Sequence, residues 1–159
     1  MPTRAHLDRI VELLSQRNET VAVAESLTAG GVGRALTTTP GASQVFLGGI
    51  ISYTDEVKVD LLGVDPELIN LYTAVSEEVA NAMADNVRAK LGATWALATT
   101  GIAGPGDYQG IAEGTVWISI RGPINQSLCL HLDGGREAVR TGAISSAIGA
   151  FARILSSQD

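Results

Sequence analysis

The chain has 159 residues, of which 45% are hydrophobic and 18% charged, with a net charge of −6 and a pI of about 4.8. This length and composition predict one folded domain over residues 1–159 and exclude a disordered chain. The acidic balance argues against a protein that binds the nucleic-acid backbone, which requires a basic surface, but it leaves room for a small anionic ligand.

Hydrophobic periodicity divides the chain into alternating helices and strands. Near the N-terminus, for example, apolar residues recur at i, i+3, i+4 and i+7 from Leu7, which is one buried face of a helix. The predicted elements are a helix over His6–Arg17, a strand over Thr20–Ala24, a helix over Thr28–Thr37, a strand over Val45–Tyr53, short helices over Asp55–Leu62 and from Asp65-Pro66, a helix over Ser76–Leu91, strands over Thr94–Thr99, Gly114–Arg121 and Ser127–Asp133, and a helix over Arg136–Leu155.

This order predicts an α/β fold, a three-layer α/β/α sandwich around a mixed, partly parallel sheet of about five strands. The strand over Thr94–Thr99 is almost continuously apolar, which is typical of a central strand. The pair Gly48-Gly49 lies inside the second strand and predicts a bulge or the close approach of another segment. The segment Thr38–Ser43 is predicted to be a loop.

Cysteine usage and the absence of long apolar runs bear on where the protein works. Cys129 is the single cysteine and lies in an apolar alternating run, so we expect a small core residue and no disulfide. Met1–Asn18 is amphipathic and charged, unlike a signal peptide. No apolar run reaches the roughly 18 residues of a membrane span. We therefore expect a cytoplasmic protein without a membrane partner.

Ser26 lies where a buried strand ends and a helix is predicted to begin. Ligands bind at this edge of an open α/β sheet, because strand carboxyl ends and helix N-termini converge there. The helix N-terminus is expected to offer free N–H groups to an anion, and nearby glycines permit close approach. The alternative is that Ser26 or Thr28 only caps the helix.

Lys58 is the candidate partner of Ser26. It shares a predicted helical face with Leu61 and Leu62, and a lysine held against apolar surface has a lowered pKa. A neutral amine can take the proton of a serine hydroxyl, which is the serine–lysine form of nucleophilic catalysis. Tyr53 is expected to orient the lysine or to protonate a leaving group. The alternatives are a lysine that extends its ammonium into water and a tyrosine that only packs.

Two further features could bind an anion or an oxyanion. The glycine-rich turn Thr100–Gly106 can form a nest of backbone N–H groups, although a plain connecting turn would look the same. Arg34, Arg136 and Arg140 can clamp an anion, and the last two are one helical turn apart. The alternative for that pair is a solvated helix face beside Glu137.

Histidine chemistry has little support in this sequence. The two histidines, His6 and His131, cannot supply a metal cluster, so we expect no metal and no cofactor. A Ser–His–Asp triad that uses either of them stays open as an alternative, without support from their positions.

Seven short motifs occur in one order along the chain and carry a family resemblance. They are Ala24–Gly30, Pro40–Ser43, Gly48–Tyr53 with Lys58, Ala74–Ser76, Thr100–Pro105, Gly114–Trp117 and Arg136–Arg140. Each motif alone is weak, but the ordered set, which covers about Leu7 to Leu155, resembles the C-terminal domain of the competence/damage-inducible protein CinA.

The resemblance implies an amidohydrolase. Members of that family include enzymes that hydrolyse the carboxamide of nicotinamide mononucleotide to nicotinic acid mononucleotide and ammonia, a step in pyridine nucleotide recycling. By this resemblance Ser26 would be the nucleophile, Lys58 its base and Tyr53 an assisting group. An acyl-enzyme would form on the serine, and water would release the acid.

The substrate-binding residues follow from the same resemblance. The loop after the third strand would line the site and help to stabilise the oxyanion, while the glycines after Ser26 and an arginine of the last helix would lie near the nucleotide. The residues concerned are Thr28, Gly30, Gly31, Thr100, Gly101, Gly104 and Arg140. The partner is thus expected to be a small nucleotide, and we also expect a homo-oligomer.

The chain departs from the family pattern at a few positions. Ala29 stands where a glycine is usual, Asp55 where an asparagine is usual, Ala112-Glu113 where Pro-Val is common, and Gly135 where an aspartate is common. The family's larger N-terminal domain is not seen, so a stand-alone form is expected. Two alternatives remain: a non-catalytic nucleotide-binding or regulatory module linked to competence or DNA damage, and a serine amidase for another small amide.

Overall fold

The computed structural model describes residues 2–159, which form six helices, five strands and a short 3-10 turn. In chain order they are α1 (Arg4–Arg17), β1 (Val21–Glu25), α2 (Gly31–Leu36), the 3-10 turn (Ala42–Gln44), β2 (Phe46–Ile51), α3 (Asp55–Asp60), α4 (Pro66–Tyr72), α5 (Glu77–Leu91), β3 (Trp95–Gly101), β4 (Thr115–Arg121), β5 (Gln126–His131) and α6 (Arg136–Ser156). Each predicted element is present, and most boundaries differ by no more than two residues.

The five strands form one mixed sheet with the order β2-β1-β3-β4-β5. Strand β1 pairs in parallel with both β2 and β3, whereas the β3–β4 and β4–β5 pairs are antiparallel. The predicted mixed sheet is therefore confirmed, with β3 at its centre. Because β2, β1 and β3 run in the same direction, their carboxyl ends meet at one edge.

Side chains of β1 and β3 alternate between two helical layers. Val23 and Leu97 belong to the larger core with α1 and α6, while Ala24 and Ala98 belong to the smaller core with α5. Small residues on the second face let α5 lie close to the sheet. The predicted three-layer α/β/α arrangement is confirmed. No helix among residues 2–159 has the length and hydrophobicity to traverse a bilayer.

The glycine pair in β2 produces both features that the sequence predicts. The pairing of β2 with β1 skips Leu47, since Val21 lies opposite Phe46 and Ala22 opposite Gly48. A Cβ atom at Gly49 would lie 2.3 Å from the carbonyl oxygen of Val23. Only a glycine therefore allows β2 to approach β1 this closely after the bulge.

Two sequence-based expectations are wrong. Helix α2 begins at Gly31 and not at Thr28, because Ala29 and Gly30 adopt positive φ angles of 49° and 95° that a helix does not contain. Cys129 is exposed and is not a core residue. It lies on β5, one of the two edge strands of the sheet, where an alternating pattern leaves one face partly uncovered.

Candidate active site

Backbone hydrogen bonds hold the ends of three parallel strands together at the carboxyl edge of the sheet. The N–H of Ser26, just after β1, donates to the carbonyl of Thr99 in β3 at 3.0 Å. The N–H of Ser52, just after β2, donates to the carbonyl of Glu25 at 2.9 Å. These bonds bring together the segments that carry Ser26, Tyr53 and Thr100, as the strand order predicts.

Lys58 lies directly against Ser26. Thr54 caps α3 by accepting a hydrogen bond from the N–H of Val57, and this places Lys58 one turn into the helix. Lys58 Nζ donates to Ser26 Oγ at 3.0 Å and to the carbonyl oxygen of Tyr53 at 3.1 Å. Ser26 is 7% exposed and Lys58 only 1%. The amine is therefore not extended into water, so that alternative is wrong.

The burial of Lys58 determines its protonation. Removal from water disfavours the ammonium form and lowers the pKa of Lys58, which is the dominant effect, while the carboxylate of Asp55 partly opposes it and raises the pKa. A lysine with a lowered pKa is neutral in a larger fraction of molecules near neutral pH. Such an amine, at hydrogen-bond distance from a hydroxyl, can act as its general base.

Tyr53 meets the Ser26–Lys58 pair through its backbone and not through its hydroxyl. Its carbonyl oxygen accepts from Lys58 Nζ, and Ser26 Oγ lies 3.3 Å from the same oxygen. The phenol hydroxyl instead accepts a hydrogen bond from Arg136 Nη2 at 2.9 Å, and the residue is 54% exposed. The main chain of Tyr53 thus orients the lysine, whereas the side chain of Tyr53 contributes to the wall of the site.

A cavity of about 580 Å³ opens beside this pair. Of the predicted site residues, it is lined by Ser26, Tyr53, Thr100, Gly101 and Gly104. The hydroxyl of Thr100 donates to the carbonyl of Ala74 at 2.8 Å, which fixes this side chain against the loop before α5. The cavity is large enough for a small organic molecule next to Ser26.

Four of the predicted binding residues lie outside the cavity lining. Thr28 is buried, with its hydroxyl 2.7 Å from that of Thr99. Gly30 and Gly31 lie at the start of α2, near the side chains of Ile51 at the end of β2 and Ile144 in α6. Arg140 donates to the carbonyl of Leu27 at 3.0 Å and thereby supports the turn that carries Ser26. A role for these four residues in substrate binding stays a prediction.

Arg136 occupies the place in the cavity wall that the sequence analysis favoured for Arg140. Its Nη1 donates to the carbonyl of Gly104 at 2.6 Å, and its Nη2 donates to the hydroxyl of Tyr53. The guanidinium therefore joins the glycine-rich loop after β3 to the segment after β2. The spacing of Arg136 and Arg140 along α6 indicated that an arginine of this helix could reach the site, but it did not distinguish which of the two faces the cavity.

Glu25 is a second residue whose part the sequence analysis missed. Its buried carboxylate accepts hydrogen bonds from the N–H groups of Val32 and Gly33 at 2.8 and 2.9 Å. The expectation that the start of α2 offers free N–H groups to an anion is therefore wrong for these two groups. The sequence feature that could have predicted this role is a glutamate at the end of an otherwise apolar strand, just before a glycine-rich helix start.

Glu113, one of the departures from the family pattern, holds the loop whose residues 104–108 line the cavity. Its carboxylate accepts from the N–H of Gly106 at 3.1 Å, and its own N–H donates to Asp107 Oδ1 at 2.8 Å. A Cβ atom at Gly104 would collide with this carboxylate, at 2.1 Å. These two hydrogen bonds tie Glu113 to Gly106 and Asp107 and so fix the conformation of the 104–113 loop.

The fold and the site together define an α/β/α domain that holds a buried serine–lysine pair at the carboxyl edge of its parallel strands. The chain belongs to the CinA C-terminal domain family, whose family model matches residues 4–155. This confirms the resemblance that the ordered motifs predicted.

Curated relatives and solved structures agree with this assignment. A CinA-like protein of Synechocystis is 50% identical over 135 residues, 80% of this chain and 32% of that protein. A CinA-like protein of Frankia casuarinae is 46% identical over 147 residues, 92% of this chain and 34% of that protein. The chain thus spans about a third of the length of these relatives. A CinA superfamily protein from Klebsiella pneumoniae has a TM-score of 0.92 at 28% identity, covering 98% of this chain and 99% of that one.

Proposed function

We propose that this domain hydrolyses the carboxamide of nicotinamide mononucleotide, giving nicotinic acid mononucleotide and ammonia, and so serves pyridine nucleotide recycling. The observation that carries the proposal is the 3.0 Å contact between Lys58 Nζ and Ser26 Oγ. The amine is buried, its pKa is lowered by that burial, and a cavity of about 580 Å³ opens beside the serine. The substrate itself is inferred from the family resemblance.

The arrangement supports a two-step acyl transfer. In the first step Lys58 takes the proton of Ser26, the serine oxygen bonds to the amide carbon, and the carbon–nitrogen bond breaks as the proton passes to the departing ammonia. In the second step Lys58 takes a proton from water as the water oxygen bonds to the acyl carbon. The bond from that carbon to Ser26 Oγ then breaks, the proton returns from Lys58 to the serine oxygen, and the acid is released. The Thr100–Gly104 segment lines the cavity next to Ser26, where its backbone can stabilise the oxyanion.

Ammonia release from nicotinamide mononucleotide by the purified protein tests the proposal. We expect Ser26→Ala to lower the rate by at least about 10³-fold, because no nucleophile remains. Lys58→Met should lower it by roughly 10²- to 10⁴-fold through loss of the general base. Ser43→Ala and Lys90→Met, which change exposed residues outside the cavity, are matched controls and should retain wild-type rates.

Each contrary outcome has a defined meaning. Turnover that persists in both Ser26→Ala and Lys58→Met would refute the mechanism. A folded wild-type protein that binds the nucleotide without releasing ammonia would instead indicate a binding or regulatory module. Release of ammonia from a different small amide only would retain the serine–lysine chemistry and refute the substrate.

A further inference from the structure

We propose that Glu113 is a positioning residue for the reaction: its side chain holds the 104–113 loop as a preformed wall of the cavity and thereby raises the affinity for the substrate. Glu113 does not itself line the cavity, so it acts through the loop and not by touching the substrate. The inference rests on the proposed function and adds the residue that keeps one side of the site in its binding conformation.

The 104–113 loop is joined across its two sides by backbone hydrogen bonds only at its base and at its tip. At the base, the N–H of Gly114 donates to the carbonyl of Ile102 at 2.8 Å. At the tip, Tyr108 and Ile111 exchange two hydrogen bonds of 3.0 and 2.9 Å. In the described part of the chain, no backbone-to-backbone hydrogen bond joins the two sides between these points. The middle of the loop therefore depends on side chains.

Glu113 takes part in both hydrogen bonds that cross this gap. Its carboxylate accepts from the N–H of Gly106, and its own N–H donates to the carboxylate of Asp107. The carboxylate also lies so close over Gly104 that a Cβ atom there would overlap it. A change of side chain at position 113 removes the contacts of the carboxylate and leaves the N–H in place.

The glycines of the loop make it costly to order without such contacts. Gly104, Gly106 and Gly110 have positive φ angles of 91°, 87° and 76°. Glycine loses more backbone freedom on ordering than any other residue. A loop that is ordered before the substrate arrives does not lose that freedom on binding, and this favours affinity. Removal of the carboxylate should therefore weaken binding.

The loop contributes to the cavity but not to the serine–lysine pair. Its residues 104–108 line the cavity, and the carbonyl of Gly104 accepts from Arg136. The side-chain hydrogen bonds of Ser26 and Lys58 join them to each other and to the segment after β2, not to this loop. A loss of order in the loop should therefore change KM and the dissociation constant and leave kcat nearly unchanged.

Kinetics and binding of Glu113→Ala test the inference. For ammonia release from nicotinamide mononucleotide, we expect KM to rise by about three- to tenfold and kcat to stay within about twofold of wild type. Titration calorimetry of the same nucleotide with Ser26→Ala and with Ser26→Ala/Glu113→Ala removes turnover from the measurement. The dissociation constant should rise by the same factor.

Two further variants assign the effect to the hydrogen bond. Glu113→Gln keeps an oxygen that can accept from the N–H of Gly106, so its KM should return to within about twofold of wild type. Asp133→Ala removes a carboxylate that borders the same small cleft as Glu113 and is the matched control. We expect wild-type KM and kcat for this control.

Limited proteolysis with chymotrypsin examines the loop without any substrate. Tyr108 is 61% exposed at the tip of the loop and provides the cleavage site. Cleavage reports the fraction of molecules in which the loop is open, when opening and closing are fast. Glu113→Ala should be cut after Tyr108 about three- to tenfold faster than wild type, and Glu113→Gln and Asp133→Ala at close to the wild-type rate.

The inference would be overturned if Glu113→Ala left KM and the cleavage rate unchanged, or if it lowered kcat and not the affinity. It would also be overturned if Glu113→Ala and Glu113→Gln both bound the nucleotide more tightly, because the carboxylate would then only repel the phosphate. Failure of the proposed function is a separate result, since it is read from ammonia release by the wild-type protein. Cleavage after Tyr108 would in that case still decide whether Glu113 holds the loop.

Discussion

Most lysines keep their ammonium group in water, but Lys58 is buried and its amine lies 3.0 Å from the hydroxyl of Ser26. The carbonyl of Tyr53 and the hydroxyl of Ser26 satisfy two of its donors, but no carboxylate forms an ion pair with it among residues 2–159. Burial without a paired carboxylate is what lowers the pKa of this amine. Burial of this unpaired amine costs stability, but it also favours the neutral form that can act as a general base.

The pH dependence of the reaction should follow from this balance. Since the neutral amine is the active form, kcat/KM is expected to rise with pH through the lowered pKa of Lys58. Asp55 raises that pKa, so Asp55→Asn should lower it further and move the acidic limb of the pH–rate profile to lower pH. Asp60→Asn, on the same helix, is the control. A limb that moves to higher pH would contradict the assignment of Lys58 as the base.

Tyr53→Phe separates the two roles that the sequence allowed for this tyrosine. The substitution removes the hydroxyl but keeps the carbonyl that orients Lys58. We therefore expect kcat to fall by less than about tenfold, because general acid catalysis by the hydroxyl would contribute about 10²-fold or more. Steady-state kinetics provides the measurement. A loss above about 10²-fold would show that the hydroxyl transfers a proton.

At the scale of elements, Glu25 links β1 to α2. The strand is buried on both faces, and the carboxylate at its end accepts from the first free N–H groups of the short helix. A helix of six residues gains little stability from its own hydrogen bonds. Its position beside the Ser26 turn therefore depends on Glu25 and on packing against α6 and β2.

We expect Glu25→Gln to destabilise the protein by about 1–3 kcal/mol, because an amide can accept only one of the two hydrogen bonds and must bury an additional donor. Chemical denaturation measures the free energy of unfolding. Glu78→Gln, at an exposed first-turn position of α5, is the matched control and should change stability by less than about 0.5 kcal/mol. Equal effects of the two substitutions would refute the capping role.

At the scale of the whole molecule, the two cores lie on opposite faces of the same sheet. Strands β1 and β3 contribute alternate residues to each core, so neither helical layer can separate without exposing the strands that hold the other. Leu14 is buried in the larger core and Met83 in the smaller one. Ser26 follows β1 at the carboxyl edge of the sheet, so its position depends on a strand that both cores hold in place.

This coupling predicts a single unfolding transition. Leu14→Ala and Met83→Ala should each lower the free energy of unfolding by roughly 2–5 kcal/mol, since each leaves a cavity in a fully buried site. Tryptophan fluorescence, to which Trp95 in the larger core and Trp117 on β4 contribute, should give the same transition as far-ultraviolet circular dichroism in both variants. Separate transitions would show that the two cores unfold independently.

The expected homo-oligomer also belongs to this scale and stays a prediction. Strand β2 is an edge of the sheet and exposes Leu47 and Ile51. Sedimentation equilibrium of the purified protein would measure the oligomeric state directly. A monomer across the accessible concentration range would refute the expectation.

Much of the architecture was predictable because it depends on local and periodic signals. Apolar spacing located the helices, continuous apolar runs located the buried strands, and Gly48-Gly49 indicated the bulge that β2 contains. The ordered motifs identified the family and pointed to Ser26 and Lys58. These features survive in the sequence because residue type at a given spacing is enough to specify them.

Only the tertiary structure decided which atoms meet. It showed that Tyr53 contributes its carbonyl to the lysine, that Arg136 and not Arg140 lines the cavity, and that Glu25 occupies N–H groups expected to be free. It also placed Cys129 at an exposed edge. The physical reason is that side-chain direction and strand order depend on contacts between residues far apart in the chain, whereas the sequence determines which residues are available to make them.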